Sequence, residues 1–164
     1  MDKISVKLLG IPTVKYGNEE IYFPYKKAAG LFYYMCVCKR SSREELMNIF
    51  WVDSSEQSAR KNLRDALYKI KKTFNFKVFI SPIKSIVELN PSIIFNIDID
   101  NITSSNIFNI YNGDFLEGFS IKNCYDFENW MLENRDHYKS IYLKSVTKKL
   151  HEMVSIGDVK RIES

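Results

Sequence analysis

A chain of 164 residues with 45% hydrophobic, 27% charged and 14% aromatic residues can bury a core as one domain or as two small ones, which excludes a disordered or fibrous protein. No apolar run approaches the ~18 residues of a membrane span and no basic segment followed by an apolar run opens the chain, so a soluble, unexported protein is expected. The net charge of +4 divides unevenly: residues 1–89 hold 16 Lys/Arg against 9 Asp/Glu, and residues 90–164 hold 8 against 11, a basic half that could draw a polyanion ahead of an acidic one.

Ile4-Ser5-Val6-Lys7-Leu8-Leu9 alternates with period two, and Gly10 and Pro12 separate it from Thr13-Val14-Lys15-Tyr16. A third short run, Ile21-Tyr22-Phe23, ends at Pro24, so a small antiparallel sheet is expected. From Lys26 the period becomes helical, with Ala28, Ala29, Leu31, Phe32, Met35 and Cys36 on one face and Lys39-Arg40 as a cationic close. Ser42-Arg43-Glu44-Glu45 has the spacing of a capping box and predicts a second helix to Trp51 with Leu46, Ile49 and Phe50 inward. The link Asp53-Ser54-Ser55 then offers a turn and a new cap.

The third helix, Ser55 to Phe74, is the most informative stretch. Ala59, Leu63, Ala66, Leu67, Ile70 and Phe74 share one face, while Arg60, Lys61, Arg64, Tyr68, Lys69, Lys71 and Lys72 occupy the rest against Glu56 and Asp65. Val78-Phe79-Ile80 and Ile86-Val87-Glu88-Leu89, joined around Ser81-Pro82-Ile83-Lys84-Ser85, predict a β-hairpin. Beyond it, 93–99 is expected to be extended or irregular and 101–112 partly helical. Gly113 and Gly118 punctuate the next loop, and a long helix should run from Asp126 through Leu150, burying Phe127, Trp130, Met131, Tyr138, Ile141, Tyr142, Val146 and Leu150, with Gly157 as its stop.

A capped helix, a short turn, a cationic second helix and a hairpin placed as a wing point to a helix-turn-helix, whose second helix enters the major groove. Here Ser42–Trp51 is the positioning helix and Ser55–Phe74 the reading helix. The ordered set resembles the OmpR/PhoB-type winged helix as used in the SARP (Streptomyces antibiotic regulatory protein) family of bacterial transcriptional activators. The carrying residues are Val6-Lys7-Leu8-Leu9-Gly10, Lys26-Lys27-Ala28, Ser42-Arg43-Glu44-Glu45-Leu46, Phe50-Trp51, Ala59 through Leu67, and Ile70-Lys71-Lys72. Tyr111 through Phe119, Phe127-Glu128-Asn129-Trp130 and Tyr142-Leu143 are similar to the start of that family's bacterial transcriptional activator domain.

The resemblance implies an α+β winged helix-turn-helix over 1–92 and, over 93–164, the first part of an all-α, tetratricopeptide-like domain, so that the chain would be a piece of a longer regulator. It implies a cytoplasmic activator that docks on double-stranded promoter DNA, often at tandem direct repeats and as a homodimer or head-to-tail pair, and recruits RNA polymerase. Arg60, Lys61, Arg64 and Tyr68 would then make groove and nearby phosphate contacts, and Lys71, Lys72, Lys84, Lys26, Lys27 and Arg43 would hold phosphates. Asp53, Ser54 and Ser55 match the place where the fold contacts polymerase. The rival function is a protein-interaction module that meets an acidic partner on its basic face and uses the helical tail for docking.

An enzyme is not expected, since no nucleophile-base pair, metal set or cofactor loop appears. Three cysteines, an odd number with Cys36 and Cys38 in one apolar segment, suit a reducing compartment and read as buried thiols rather than a zinc knuckle. His137 and His151 read as surface residues and Trp51 and Trp130 as core or junction anchors. Asp98 and Asp100 read as solvated or locally salt-bridged.

Overall fold

The computed structural model describes residues 3–163. Strands β1 (Lys3–Lys7) and β2 (Thr13–Tyr16) pair antiparallel as the alternation predicts, with Ile4, Val6 and Val14 turned inward. The third strand lies earlier than expected: β3 is Glu19–Glu20, and the chain then leaves the sheet so that Phe23 can reach the core, its ring centroid 5.0 Å from that of Phe32.

Helix α1 (Lys26–Cys38) closes differently from the expectation. Lys39 takes a left-handed conformation (φ 66°) with its N–H on the Met35 carbonyl, and Arg40 already belongs to strand β4 (Arg40–Ser42). Ser42 caps helix α2 (Arg43–Phe50) through its Oγ, which accepts from the Glu45 N–H at 3.0 Å. The Glu45 carboxylate does not complete the box; it accepts from the Tyr34 and Ser41 hydroxyls, each at 2.9 Å, and so ties α2 to α1 and β4.

Helix α3 (Glu56–Phe74) begins where Ser55 accepts from the Ser58 N–H and buries Ala59, Leu63, Ala66, Ile70 and Phe74, the face that the 3.6-residue period selects. Asn75, in left-handed conformation, ends it. Strands β5 (Phe79–Ile80) and β6 (Ile86–Leu89) form the expected hairpin, and β4 joins its far edge to give a three-stranded sheet.

Strand β7 (Ile94–Ile97) runs parallel to β1, pairing Lys3 with Ile94 and Val6 with Ile97. The N-terminal sheet is therefore mixed, in the order β3-β2-β1-β7, rather than purely antiparallel. A strand from beyond residue 92 thus lies in the sheet that opens the chain. A 3-10 turn (Asp98–Asn101) and a short helix α4 (Ile107–Ile110) follow, and the 111–124 loop returns to β1's exit: Leu116 N–H donates to the Leu8 carbonyl and Gly10 N–H to that of Asp114. Gly10 has φ +109°, and an added Cβ would meet Asn112 at 3.4 Å, so this crossing needs glycine.

Helix α5 (Tyr125–Glu163) is 39 residues long and continues through Gly157, which was expected to stop it. Nothing packs within 4 Å of where a Gly157 Cβ would stand, and the glycine is carried along within the helix. Phe127, Met131 and Tyr138 are buried, Trp130, Ile141, Tyr142 and Val146 are half-buried, and Leu150 is exposed, contrary to expectation, because the helix has left the body by then. Trp130 and Phe127 meet Tyr34 and Phe50 at 4.9 and 5.3 Å, so α5 is joined to α1 and α2 by a shared aromatic core.

Arg135 fastens the loop to α5. Its guanidinium donates to the Phe115 and Leu116 carbonyls, both at 2.8 Å. Arg135→Ala removes two charge-assisted bonds from half-buried carbonyls, and a loss of about 2 kcal/mol is expected in urea unfolding.

Candidate nucleic-acid interface

Along α3 the exposed side chains Arg60, Arg64, Tyr68 and Lys71 fall on one side by the helical period. Across from them stands the β5–β6 turn. An open cleft of about 1260 Å³ lies between the two, lined by Gln57, Arg60 and Arg64 from α3, Ser81, Lys84 and Ser85 from the turn, and Arg43 at the start of α2. A second, smaller hollow continues along α3 between Tyr68, Lys71, Lys77 and Ser81. Cationic side chains therefore stand on both walls of this channel, outnumbering the carboxylates of Glu44 and Glu56 that also line it.

Arg43 has a more structural position than a free phosphate ligand. Its Nε donates to the Lys84 carbonyl at 2.9 Å, its Nη2 to Ser81 Oγ at 3.0 Å, and its backbone N–H to the Ser85 carbonyl at 2.9 Å, so it ties the wing turn to α2 while one edge of its guanidinium lines the cleft. Arg60 pairs with Glu56 one turn before it, an exposed contact that water screens and that an incoming anion can displace.

The remaining expected residues are not gathered there. Lys61 and Lys72 are exposed next to Tyr68 on the side of α3 turned most directly away from its buried face, and line neither hollow. Lys26 borders a separate depression with Tyr22 and Tyr25, and Tyr25 donates to Asp65 of α3 at 2.9 Å. Burial and that carboxylate both hold the Tyr25 hydroxyl well above its ordinary pKa, so it stays a donor. Lys27 lies over the Trp51 ring, 5.8 Å from its centroid, a cation–π contact at the junction of α1 and α2. Ser55 is committed to capping α3 and the Ser54 N–H to the Trp51 carbonyl, which leaves Asp53 as the exposed carboxylate of that link.

Lys77 and Gln57 belong to the channel but were not expected there. Gln57 precedes Arg60 and Arg64 on the same side of α3, a position the helical period could have found; Lys77 follows the left-handed Asn75, whose turn redirects the chain in a way no period records.

The acidic pair resolves into two roles. Asp100 is salt-bridged to Lys39 at 2.6 Å. Asp98, expected to be solvated or salt-bridged, instead accepts from the backbone N–H groups of Leu8 and Leu9 at 2.9–3.0 Å, and burial pushes its carboxyl pKa up against those bonds. Cys36, Cys38 and Cys124 are free thiols. Burial raises the pKa of each, that of Cys38 to about 11, which keeps them protonated and unreactive at neutral pH.

Among the described residues no helix is long and apolar enough to cross a membrane. No protein-family model and no curated protein matches the sequence. Among solved structures the chain is similar to EmbR of Mycobacterium tuberculosis, determined in complex with a low-affinity phosphopeptide, with a TM-score of 0.66 at 9% identity over 99% of this chain and 50% of that one. The chain thus spans about half the length of the protein it matches, and what the two share is the fold.

Proposed function

We propose that this chain is a sequence-specific, DNA-binding transcriptional regulator of the SARP type, acting in the cytoplasm and not an enzyme. The observation that carries the reading is the channel with Arg60, Arg64 and Lys71 on one wall and Lys84 on the other, bounded by a helix of the right diameter for a major groove. In this reading Arg60 and Arg64 reach base edges. Tyr68, Lys71, Lys77 and Lys84 hold phosphates beside them, and Lys61 and Lys72 meet the backbone further out. Lys26 and Lys27 are set apart from this contact. Asp53 and its neighbours carry an activating contact to RNA polymerase, and binding as a pair at direct repeats of promoter DNA completes the scheme.

Fluorescence anisotropy with duplex from upstream of its own gene and with a scrambled duplex tests this. Four to five neutralised phosphates give a log-log salt slope of about −4. Equal, feeble, salt-insensitive binding to both duplexes sinks the reading. It would favour a protein-interaction module, for which the exposed Leu143, Leu150, Met153, Val154 and Ile156 of α5 offer an apolar surface.

A further inference from the structure

The depression bordered by Lys26 measures about 300 Å³ and opens where β2, the link from β3 to α1, α1 itself and the 111–124 loop meet. Buried Val14, Ala29 and Tyr33 form its floor, and Ala29 fills little of it because its side chain is a single methyl group. The half-buried rings of Phe23 and Phe119 stand edge-on to Tyr33, and the exposed Tyr22 and Tyr25 make the rim. Small-molecule sites have this makeup, an aromatic and apolar surround with a few polar groups that fix orientation.

The hydroxyls around the depression have partners, with one exception. Tyr25 donates to Asp65 at 2.9 Å, Thr13 to the Ile11 carbonyl at 3.3 Å, and the Tyr22 hydroxyl is held above its ordinary pKa chiefly by its hydrogen bond to Glu20. Tyr33 is only 7% exposed, yet its hydroxyl has no hydrogen-bond partner among the described residues. No fully enclosed side-chain polar atom among those residues lacks a partner, so the Tyr33 oxygen is not sealed in the core and meets the depression that its ring underlies. Burial, with a smaller effect of Cys36, pushes its pKa up to about 12, which keeps it a donor at neutral pH. A largely buried donor without a partner is costly, and an acceptor entering the depression recovers that cost. Glu20 and Lys26, one of each sign, border the site, which therefore demands no net charge.

We propose that this depression binds a small, uncharged, planar aromatic compound bearing a hydrogen-bond acceptor, such as a ketone, an amide or a ring nitrogen. Its ring packs among Tyr22, Phe23, Tyr25 and Phe119, and its acceptor receives the hydrogen bond of the Tyr33 hydroxyl. The volume lies at the small end of the usual ~300–1,000 Å³, room for one substituted ring. The site is separate from the cationic channel and stands whether or not the chain binds DNA.

Acetophenone, ethylbenzene and benzoate, titrated into the isotope-labelled chain and followed by amide NMR shifts, test this. The three share a ring and a similar size and differ in acceptor and charge. Acetophenone is expected to bind with a dissociation constant of roughly 0.1–1 mM, given its few atoms, and to shift the amides of Val14, Ala29 and Tyr33. Ethylbenzene, lacking the acceptor, binds about tenfold more weakly, and benzoate is also weaker because its charge leaves water without a net opposite charge to meet it. Tyr33→Phe keeps the ring and the melting temperature, brings acetophenone down to the ethylbenzene level and leaves ethylbenzene unchanged. Absence of shifts at those amides, equal affinities of acetophenone and ethylbenzene for the parent, or acetophenone binding untouched by Tyr33→Phe overturns the site. Benzoate binding more tightly than acetophenone overturns the uncharged class.

Discussion

Replacing Asp98 with alanine lowers the unfolding free energy by about 3 kcal/mol, the largest loss expected of any single polar side chain in the fold. Its carboxylate receives the N–H groups of Leu8 and Leu9, both of which lie in fully buried residues at the exit of β1. Alanine leaves two donors unpaired away from water, at about 1–3 kcal/mol each. Asparagine retains one acceptor oxygen and falls between the two. Chemical denaturation of the three proteins gives the order Asp, Asn, Ala, and equal stabilities for Asp and Ala would refute the role.

The same group makes stability depend on pH in a defined direction. Burial, the largest influence, raises the folded pKa of Asp98 above the ordinary 3.8, outweighing the hydrogen bonds from Leu9 and Leu8. The folded state therefore holds the proton more tightly than the unfolded chain. This contribution is fully present below the unfolded value and is lost as pH rises through the folded one. The stability difference between the parent and Asp98→Asn accordingly shrinks as pH rises through that window. A difference that grows instead would mean that the backbone donors outweigh burial.

Duplex binding should collapse in the double variant Arg60→Ala/Arg64→Ala. If each guanidinium reads a base edge, each contributes about 1–3 kcal/mol of discrimination, so the pair accounts for roughly a hundredfold or more in affinity for a selected duplex. Preference over a scrambled duplex should vanish with it. Lys72→Ala, on the outer flank of α3, should instead weaken binding to all duplexes alike and reduce the salt slope by ~1. Both variants replace exposed residues, so unchanged melting temperatures exclude unfolding as the cause. If the double variant keeps its preference between duplexes, α3 is not the reading element.

The parts of the fold legible in the sequence are those written in local periods and local chemistry. Helix α3 announces itself because its buried residues recur every three or four positions, and Ser42 and Ser55 are caps by residue type and place. What escaped depends on partners far away along the chain. Nothing local to Ile94–Ile97 says that it will lie parallel to Lys3–Val6, and Asp98 binds backbone groups, which carry no residue-type signature. Lys27 counted as one more cation at a helix start, and only the folded chain sets it over Trp51. Gly157 reads as a terminator, yet a solvent-facing helix carries one glycine at a cost of about 1 kcal/mol. For the candidate site, the cationic side of α3 was readable from its period. The channel was not, because its second wall comes from a turn positioned by Arg43.

The parallel pairing of β1 with β7 also governs when the protein can become itself during synthesis. The chain's opening strand waits for residues 94–97, some ninety positions later, before its second edge is satisfied, and Leu8 and Leu9 wait for Asp98 immediately after. Contacts of such long sequence separation slow folding, since the intervening loop must be closed before any bond rewards it. The three helices and the wing lie wholly inside that interval. They can assemble on the ribosome as a local unit while β1 and β2 remain a bare hairpin, and the emergence of β7 is the event that locks the hairpin onto them.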